Sequence, residues 1–322
     1  MKKLGIVVPT YNRAYILQST IESIVKQILP RLDEVSLVVC DNASVDNTEE
    51  YMKSVVEKYS FVVYHRHETN KGYLYNFKYG IELSDAEYIF LHGDDDLMPP
   101  YFVSTMLYYI QENPGVGLFH FNYFISDLDS SPYRTWYNHF DDNANCKYYE
   151  TGKDFILKYF DLPSFMSSNV FRKDLWMPYV DDPIQYECIA YEWLYVLYKG
   201  IEKSKCIFIP FPLFVQRISK SEGYSTRLAY FFIVGISRVF EKLGEDYYEK
   251  WKEYRKSYSK PKMFRNITSV YRDKPFYKKN YKLLQRYLDG FMYKATLFLS
   301  LYIVPTYVES IFFKKIRKLF VG

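Results

Sequence analysis

One pattern constrains this chain more than any other: an apolar strand, a polar loop and a helix recur four times within about its first hundred residues. Leu4–Val8 is an apolar run closed by Pro9, and the loop Pro9-Thr10-Tyr11-Asn12-Arg13 follows it. Leu17, Thr20, Ile21, Ile24, Val25 and Ile28 then recur at helical spacing, which predicts a helix over Ala14–Gln27. Val35–Cys40 is a second strand that runs into the polar loop Asp41–Thr48, with Met52, Val55, Val56 and Tyr59 marking its helix. Phe61–Tyr64 is a third strand, Asn70-Lys71-Gly72 a turn, and a helix continues to Leu83. Tyr88–Leu91 is the fourth strand, after which come Asp94, Asp95 and Asp96, and the stop signals Pro99 and Pro100. This alternation predicts βαβ units and a Rossmann-like, mostly parallel sheet flanked by helices. In such a sheet the loops at the carboxyl ends of the strands gather along one edge, where ligands bind. Three polar loops therefore converge: Pro9–Arg13, Asp41–Asn47 and Asp94–Asp96.

Three adjacent carboxylates repel one another, and a divalent cation is the simplest partner that makes such a cluster favourable. Alone, the triplet reads equally well as a solvated acidic turn. Its position at the end of a buried strand, beside two other polar loops, favours a site for Mg2+ or Mn2+ with a diphosphate. No GxGxxG opens the first helix and no GxxxxGK[ST] occurs, so the glycine-rich phosphate cradles of dinucleotide and P-loop proteins are missing.

A chain of 322 residues, 48% hydrophobic and 25% charged, is long and apolar enough for one large or two smaller folded domains. Its four cysteines show no CxxC spacing, which argues against a structural zinc site and fits a reducing compartment. The apolar run at the N-terminus is too short for a signal peptide, so a cytoplasmic location is expected. Beyond Asp96, Pro100–Asn113 reads as a helix, Val116–Ile125 as a strand, Ser126–Tyr149 as a long loop over the cleft, and Thr151–Phe160 as a helix. Ser167–Arg172 reads as a strand edge entering a turn, Tyr191–Leu197 as a helix opening, and Cys206–Ile209 as a last strand. After about residue 220 the texture becomes helical and basic, which divides the chain into 1–220 and 221–322. Near the end, the uncharged run Ala295–Val308 is too short for a membrane span, and Lys314, Lys315, Arg317 and Lys318 follow it. That combination suits a peripheral helix on an anionic cytoplasmic membrane face. A core-packed helix with a solvated basic tail is the plainer alternative. A net charge of +4 and basic clusters without a recognition motif give no reason to expect nucleic acid.

Ile6-Val7-Val8-Pro9-Thr10-Tyr11-Asn12-Arg13, Asp41–Thr48, Asn70-Lys71-Gly72 and Leu91–Asp96, taken together and in this order, resemble the family 2 glycosyltransferases of GT-A fold. Within that family the chain looks most similar to the abequosyltransferase-like branch that builds bacterial surface polysaccharides. The resemblance covers roughly residues 4–115, thins towards 215 and ends there. It implies an inverting transfer of a hexosyl or related sugar from a nucleoside-diphosphate sugar to a glycan or polyprenyl-diphosphate-linked acceptor. Pro9, Tyr11 and Arg13 would line the nucleotide pocket, Asp41 would read the base edge, and Asn70 and Gly72 would complete the donor-binding set. Asp94 and Asp96 would hold the metal, with Asp96 the direct contact, and Asp95 would lie near the ribose. Many relatives read Asp-Ser-Asp-Asp here, and this chain departs from them with a glycine, Gly93.

The family's general base precedes a Trp or Leu at a helix start, and the matching stretch is Ala190-Tyr191-Glu192-Trp193. Glu192 is thus the expected catalytic base, one methylene longer than the usual aspartate, and is counted with Asp95 as catalytic. Glu187, then Asp181 and Asp182, are the alternatives, and an ordinary helix N-terminal acid is the bland reading. His92 could support the site, whereas His65 and His67 are expected at the surface. A non-catalytic GT-A-like module that binds a nucleotide sugar or glycan is the competing function.

Overall fold

The apolar runs are short, rich in β-branched residues and separated by polar turns, so the backbone pairs them side by side and packs helices on the faces. We describe a computed structural model of the chain, covering residues 1–127, 135–137, 145–218, 227, 230–257, 273–288, 291–298 and 301–302. Packing divides it into two compact units, residues 1–182 with 196–219, and residues 183–195 with 220–322. Each is described separately.

The first unit contains a nine-stranded sheet among the described residues. Its strands are β1 (Lys2–Thr10), β2 (Val35–Asp41), β3 (Val62–Arg66), β4 (Ala86–Leu91), β5 (Val116–Asp127), β6 (Thr135–Tyr137), β7 (Lys147–Tyr149), β8 (Asn169–Arg172) and β9 (Lys205–Ile218). The order is β3-β2-β1-β4-β8-β5-β9-β7, with β6 paired to β5. β1 pairs in parallel with both β2 and β4, β2 with β3, and β5 with β9. β8 is antiparallel to both its neighbours, β4 and β5. The helices that follow the first strands are α1 (Ala14–Ile28), α2 (Thr48–Lys58), α3 (Tyr73–Leu83) and α4 (Phe102–Glu112). α1 buries Leu17, Ile21, Ile24, Val25 and Ile28, the stripe its periodicity predicts. These side chains join Ile6, Val8, Leu37, Phe90, Phe102 and Phe121 in one core, where the Phe90 and Phe102 rings stack at 4.4 Å. The α/β class, the mostly parallel sheet and the helical C-terminal region all agree with the sequence.

Three local expectations change. Ser167–Arg172 is not an edge, because β8 lies inside the sheet between β4 and β5. The stretch Ser126–Tyr149 is not wholly a loop, because its described parts finish β5 and form β6 and β7. Residues 128–134 and 138–144 lie outside the described residues, and so does the idea that they cover a cleft. The last strand does not stop at Ile209 but runs to Ile218.

The second unit is helical, with segments including Ile236–Leu243, Glu245–Ser257, Lys274–Lys279 and Tyr281–Tyr287. Trp251 stacks on Phe240 at 4.8 Å, and its indole N–H donates to Ser237 Oγ at 3.0 Å. The uncharged run expected at the membrane begins at the end of the helix Phe291–Phe298. Most of it, and the basic cluster 314–318, lies outside the described residues. Among the described residues no helix is long and apolar enough to cross a membrane.

Candidate active site

Parallel pairing of β1 with β2 and β4 fixes the register Thr10↔Asp41 and Val7↔Leu91. It therefore brings the loops after Thr10, Asp41 and Leu91 to one end of the sheet, and hydrogen bonds tie them together. Thr10 Oγ1 donates to Asp94 Oδ2 at 2.8 Å. Arg13 Nη1 lies 2.6 Å from Asp95 Oδ2 and 3.6 Å from Asp94 Oδ1. The cation of the first loop thus holds two carboxylates of the third, and all three side chains are partly exposed. Bonds joining the first and second loops include Asn12 N to Ser44 Oγ and Val45 N to Asn12 Oδ1, both at 2.8 Å, and Asn42 N to Thr10 O at 3.0 Å. Asn12 adopts φ 55°, a left-handed conformation that asparagine tolerates better than most residues.

The third tie is a pair of asparagines. Asn42 Nδ2 donates to Asn70 Oδ1 at 3.0 Å, and Asn42 Oδ1 accepts from Lys71 N at 2.8 Å. Asn70 Oδ1 also accepts from Gly72 N at 2.9 Å, where the chain turns into α3 with φ 85° at Gly72. Pro9 is buried in β1, and Tyr11 is 43% exposed beside it.

Two of the expected contacts face inward. Asp41 is 0% exposed. Its Oδ1 accepts from Ser44 N at 2.8 Å and Ser44 Oγ at 2.6 Å, and its Oδ2 accepts from Tyr64 OH at 2.9 Å. Asp96, expected as the direct metal contact, is 2% exposed. Its Oδ2 accepts from Ser167 Oγ at 2.7 Å and its Oδ1 from Arg217 N at 3.2 Å. Burial, and then the Asp95 carboxylate, push Asp96 well above the usual carboxylate range, while the bonds from Ser167 and Arg217 oppose that. Gly93 fits this packing, because a Cβ there would come within 2.7 Å of Asp96 Oδ2 and 3.2 Å of Ser167 Oγ. His92 is fully buried and its Nδ1–H donates to Gly93 O at 2.6 Å. Burial pulls its pKa down to about 4, so it is neutral. His67 is also buried and lies 3.7 Å from Cys40 Sγ, where a surface position was expected.

Asp94 and Asp95 offer hard oxygen donors at the mouth of the three loops. That set fits a divalent cation that takes its remaining ligands from a diphosphate and water. Among the described residues no group of three His, Cys, Asp or Glu stands ready to hold an ion by itself.

Glu192 belongs to the second unit. Its carboxylate accepts hydrogen bonds from the backbone N–H groups of Ala190 and Glu192, and burial raises its pKa despite them. Two successive residues before it, Ile189 (φ 30°) and Ala190 (φ 66°), sit in the left-handed region. Such conformations are costly for side-chain-bearing residues and concentrate at functional sites. Glu187 is exposed, 2.7 Å from Lys242 Nζ and 3.7 Å from Arg238 Nη1, and these cations lower its pKa. Asp181 is paired with Lys78 at 2.7 Å.

Sequence reasoning missed Arg217, Ser167's bond to Asp96, and Thr20. Thr20 Oγ1 donates to the Asp94 and Asp96 carbonyls at 2.8 and 3.0 Å. Thr20 is a threonine in an otherwise aliphatic helical stripe, and that was the available signal.

Abequosyltransferase RfbV of Salmonella typhimurium is 25% identical over 258 residues, 76% of this chain and 74% of that protein. The structure of S. aureus TarS 1–349 in complex with UDP-GlcNAc matches with a TM-score of 0.58 at 16% identity, covering 97% of this chain and 92% of that one. Mannosyltransferase PcManGT from Pyrobaculum calidifontis, in complex with GDP-Man and Mn2+, matches with a TM-score of 0.53 at 14% identity, covering 100% and 88%. At these identities the structural likeness gives the fold, which is GT-A. The family model for Glycosyl transferase family 2 matches residues 5–169, from the first strand through the aspartate turn to the start of β8. With the four motifs in order and the loops joined at one sheet end, the chain belongs to glycosyl transferase family 2.

Proposed function

We propose that this glycosyltransferase is an inverting enzyme that moves a sugar from a nucleoside-diphosphate sugar to a glycan or polyprenyl-diphosphate-linked acceptor in surface-polysaccharide synthesis. One observation carries the reading: the Arg13 guanidinium and the Thr10 hydroxyl hold Asp95 and Asp94 side by side at the sheet end. Relatives add support, since TarS is described with UDP-GlcNAc and PcManGT with GDP-Man and Mn2+. Pro9, Tyr11, Asn70 and Gly72 shape the donor pocket in this reading, and Asp41 contributes by fixing the turn to Ser44. Asp94 and Asp95 take the metal contact, and Asp96, with both carboxylate oxygens hydrogen-bonded inside, anchors the turn. A Mg2+ or Mn2+ ion, when bound, supplies Lewis-acid stabilisation of the charge that grows on the departing diphosphate. Glu192 takes the proton of the acceptor hydroxyl. The hydroxyl oxygen bonds to the anomeric carbon opposite the leaving oxygen, whose bond breaks with its electron pair, so the configuration inverts.

Calorimetric titration with UDP and with GDP, each with and without Mn2+, tests the donor site. Affinity that rises about tenfold or more on adding the metal is expected for one of the two nucleotides. Affinity indifferent to metal for both would reject the metal-assisted reading.

We propose also that segment 295–318 docks the enzyme on the cytoplasmic membrane face. Changing Lys314, Lys315, Arg317 and Lys318 together to Gln should release the protein from anionic liposomes in a sedimentation assay. Unchanged co-sedimentation would leave the segment without that role.

A further inference from the structure

We infer that Arg217, with Thr20, is a positioning residue that sets the direction of the Asp94 and Asp95 carboxylates from behind the aspartate turn. The inference rests on the metal-assisted donor site proposed above. β9 carries Arg217 to this place. Leu97 and Val215 exchange two backbone hydrogen bonds of 3.0 Å, which fasten the end of β9 to the chain directly after the aspartates. Two residues on, Arg217 is 8% exposed and donates to both the turn and α1. Its backbone N–H donates to Asp96 Oδ1 at 3.2 Å, and its Nε donates to the Asp95 carbonyl. Nη1 donates to Ser19 Oγ at 2.8 Å and Nη2 to Thr20 Oγ1 at 2.9 Å. The Thr20 hydroxyl in turn shares its O–H between the Asp94 and Asp96 carbonyls, which both accept from it.

Every backbone carbonyl of the triplet therefore has a donor from Arg217 or Thr20, and Ser167 closes the Asp96 carboxylate from the other side. With backbone and third side chain pinned inward, the first two carboxylates are the ones left for Thr10 and Arg13 at the mouth. A guanidinium suits this post because its planar fork reaches a carbonyl and two hydroxyls at once, which an ammonium cannot. Its charge also faces the buried Asp96, so removing it would leave that carboxylate poorly compensated. Neither Arg217 nor Thr20 is placed here against donor or acceptor, which separates positioning from catalysis.

The test compares wild type, Arg217→Lys and Thr20→Val by calorimetry with UDP and GDP, with and without Mn2+, and by thermal unfolding. Wild type should show a metal-dependent gain in nucleotide affinity. Arg217→Lys should lose about tenfold or more of that gain while its metal-free affinity stays within about twofold. Thr20→Val, a smaller change, should lose part of the gain in the same direction, and it decides the matter if Arg217→Lys does not fold. A variant pair that keeps the whole gain overturns the inference. Equal losses with and without metal would mean general loosening and would overturn it too. Absence of any gain in wild type would instead defeat the donor-site reading, and the inference with it.

Discussion

Replacing Glu192 by glutamine should lower kcat by about a thousandfold while leaving donor affinity within about twofold. Glutamine keeps the size and the hydrogen-bonding shape of the side chain but cannot accept the acceptor's proton. The carboxylate is well prepared for that task. Burial raises its pKa, which makes it a stronger base, while the backbone N–H groups of Glu192 and Ala190 oppose that shift. The base works only when ionised, so transfer is full above the raised pKa of Glu192 and falls as pH drops through it. The acid limb of kcat should thus lie higher than that of an ordinary glutamate, and Glu192→Asp should retain an acid limb that Glu192→Gln lacks. The alternatives are poorer bases for a stated reason: Lys242 and Arg238 hold Glu187 ionised and weakly basic, and Lys78 occupies Asp181. Transfer by Glu192→Gln at near wild-type kcat would end the assignment. Donor binding with no transfer even in wild type, against a panel of acceptors, would favour the non-catalytic module.

What could be read from the sequence divides along a physical line. Periodicity reports burial of one face, so the strands and helices from Lys2 to Glu112 were legible to within a few residues, and so was the gathering of three loops. Periodicity does not report which neighbour a strand chooses. β8 reads like a short edge piece, yet it supplies the antiparallel joint between β4 and β5. The expected end of β9 at Ile209 is followed directly by Pro210 and Pro212, residues that disfavour a strand interior. The sheet absorbs them instead through a register shift, where Phe121 faces Ile209 and the next residue, Asn122, faces Pro212. Asn122 Nδ2 donates to Pro210 O at 2.8 Å across that irregularity. Because the strand continues, Arg217 reaches the aspartate turn, and no local motif announces it. The three aspartates are likewise identical as letters. Only packing separates Asp96, enclosed by Ser167 and Arg217, from Asp94 and Asp95 at the mouth.

That separation makes a second large effect predictable. Asp95→Asn should abolish most of the metal-dependent gain in nucleotide affinity and lower transfer by about a thousandfold, the scale of a Lewis-acid contribution of several kcal/mol. Its thermal stability should change little, because the side chain is partly exposed and its ion pair with Arg13 is at least partly solvated. Asp96→Asn should behave in the opposite order. There the amide oxygen would keep the bond from Arg217 N, but the amide N–H would face Ser167 Oγ, which must then accept instead of donate although it already accepts from Gly93 N, so the Ser167 proton loses its buried acceptor. Stability should fall first, by about 1–2 kcal/mol on the scale of leaving a buried hydrogen-bonding group without its partner, and affinity should fall as a consequence. Chemical denaturation of both variants beside calorimetry with Mn2+ separates the two. If Asp96→Asn proves as stable as wild type yet loses the whole metal-dependent gain, Asp96 is the direct contact after all. If Asp95→Asn keeps that gain, the cation does not sit on the outer carboxylates.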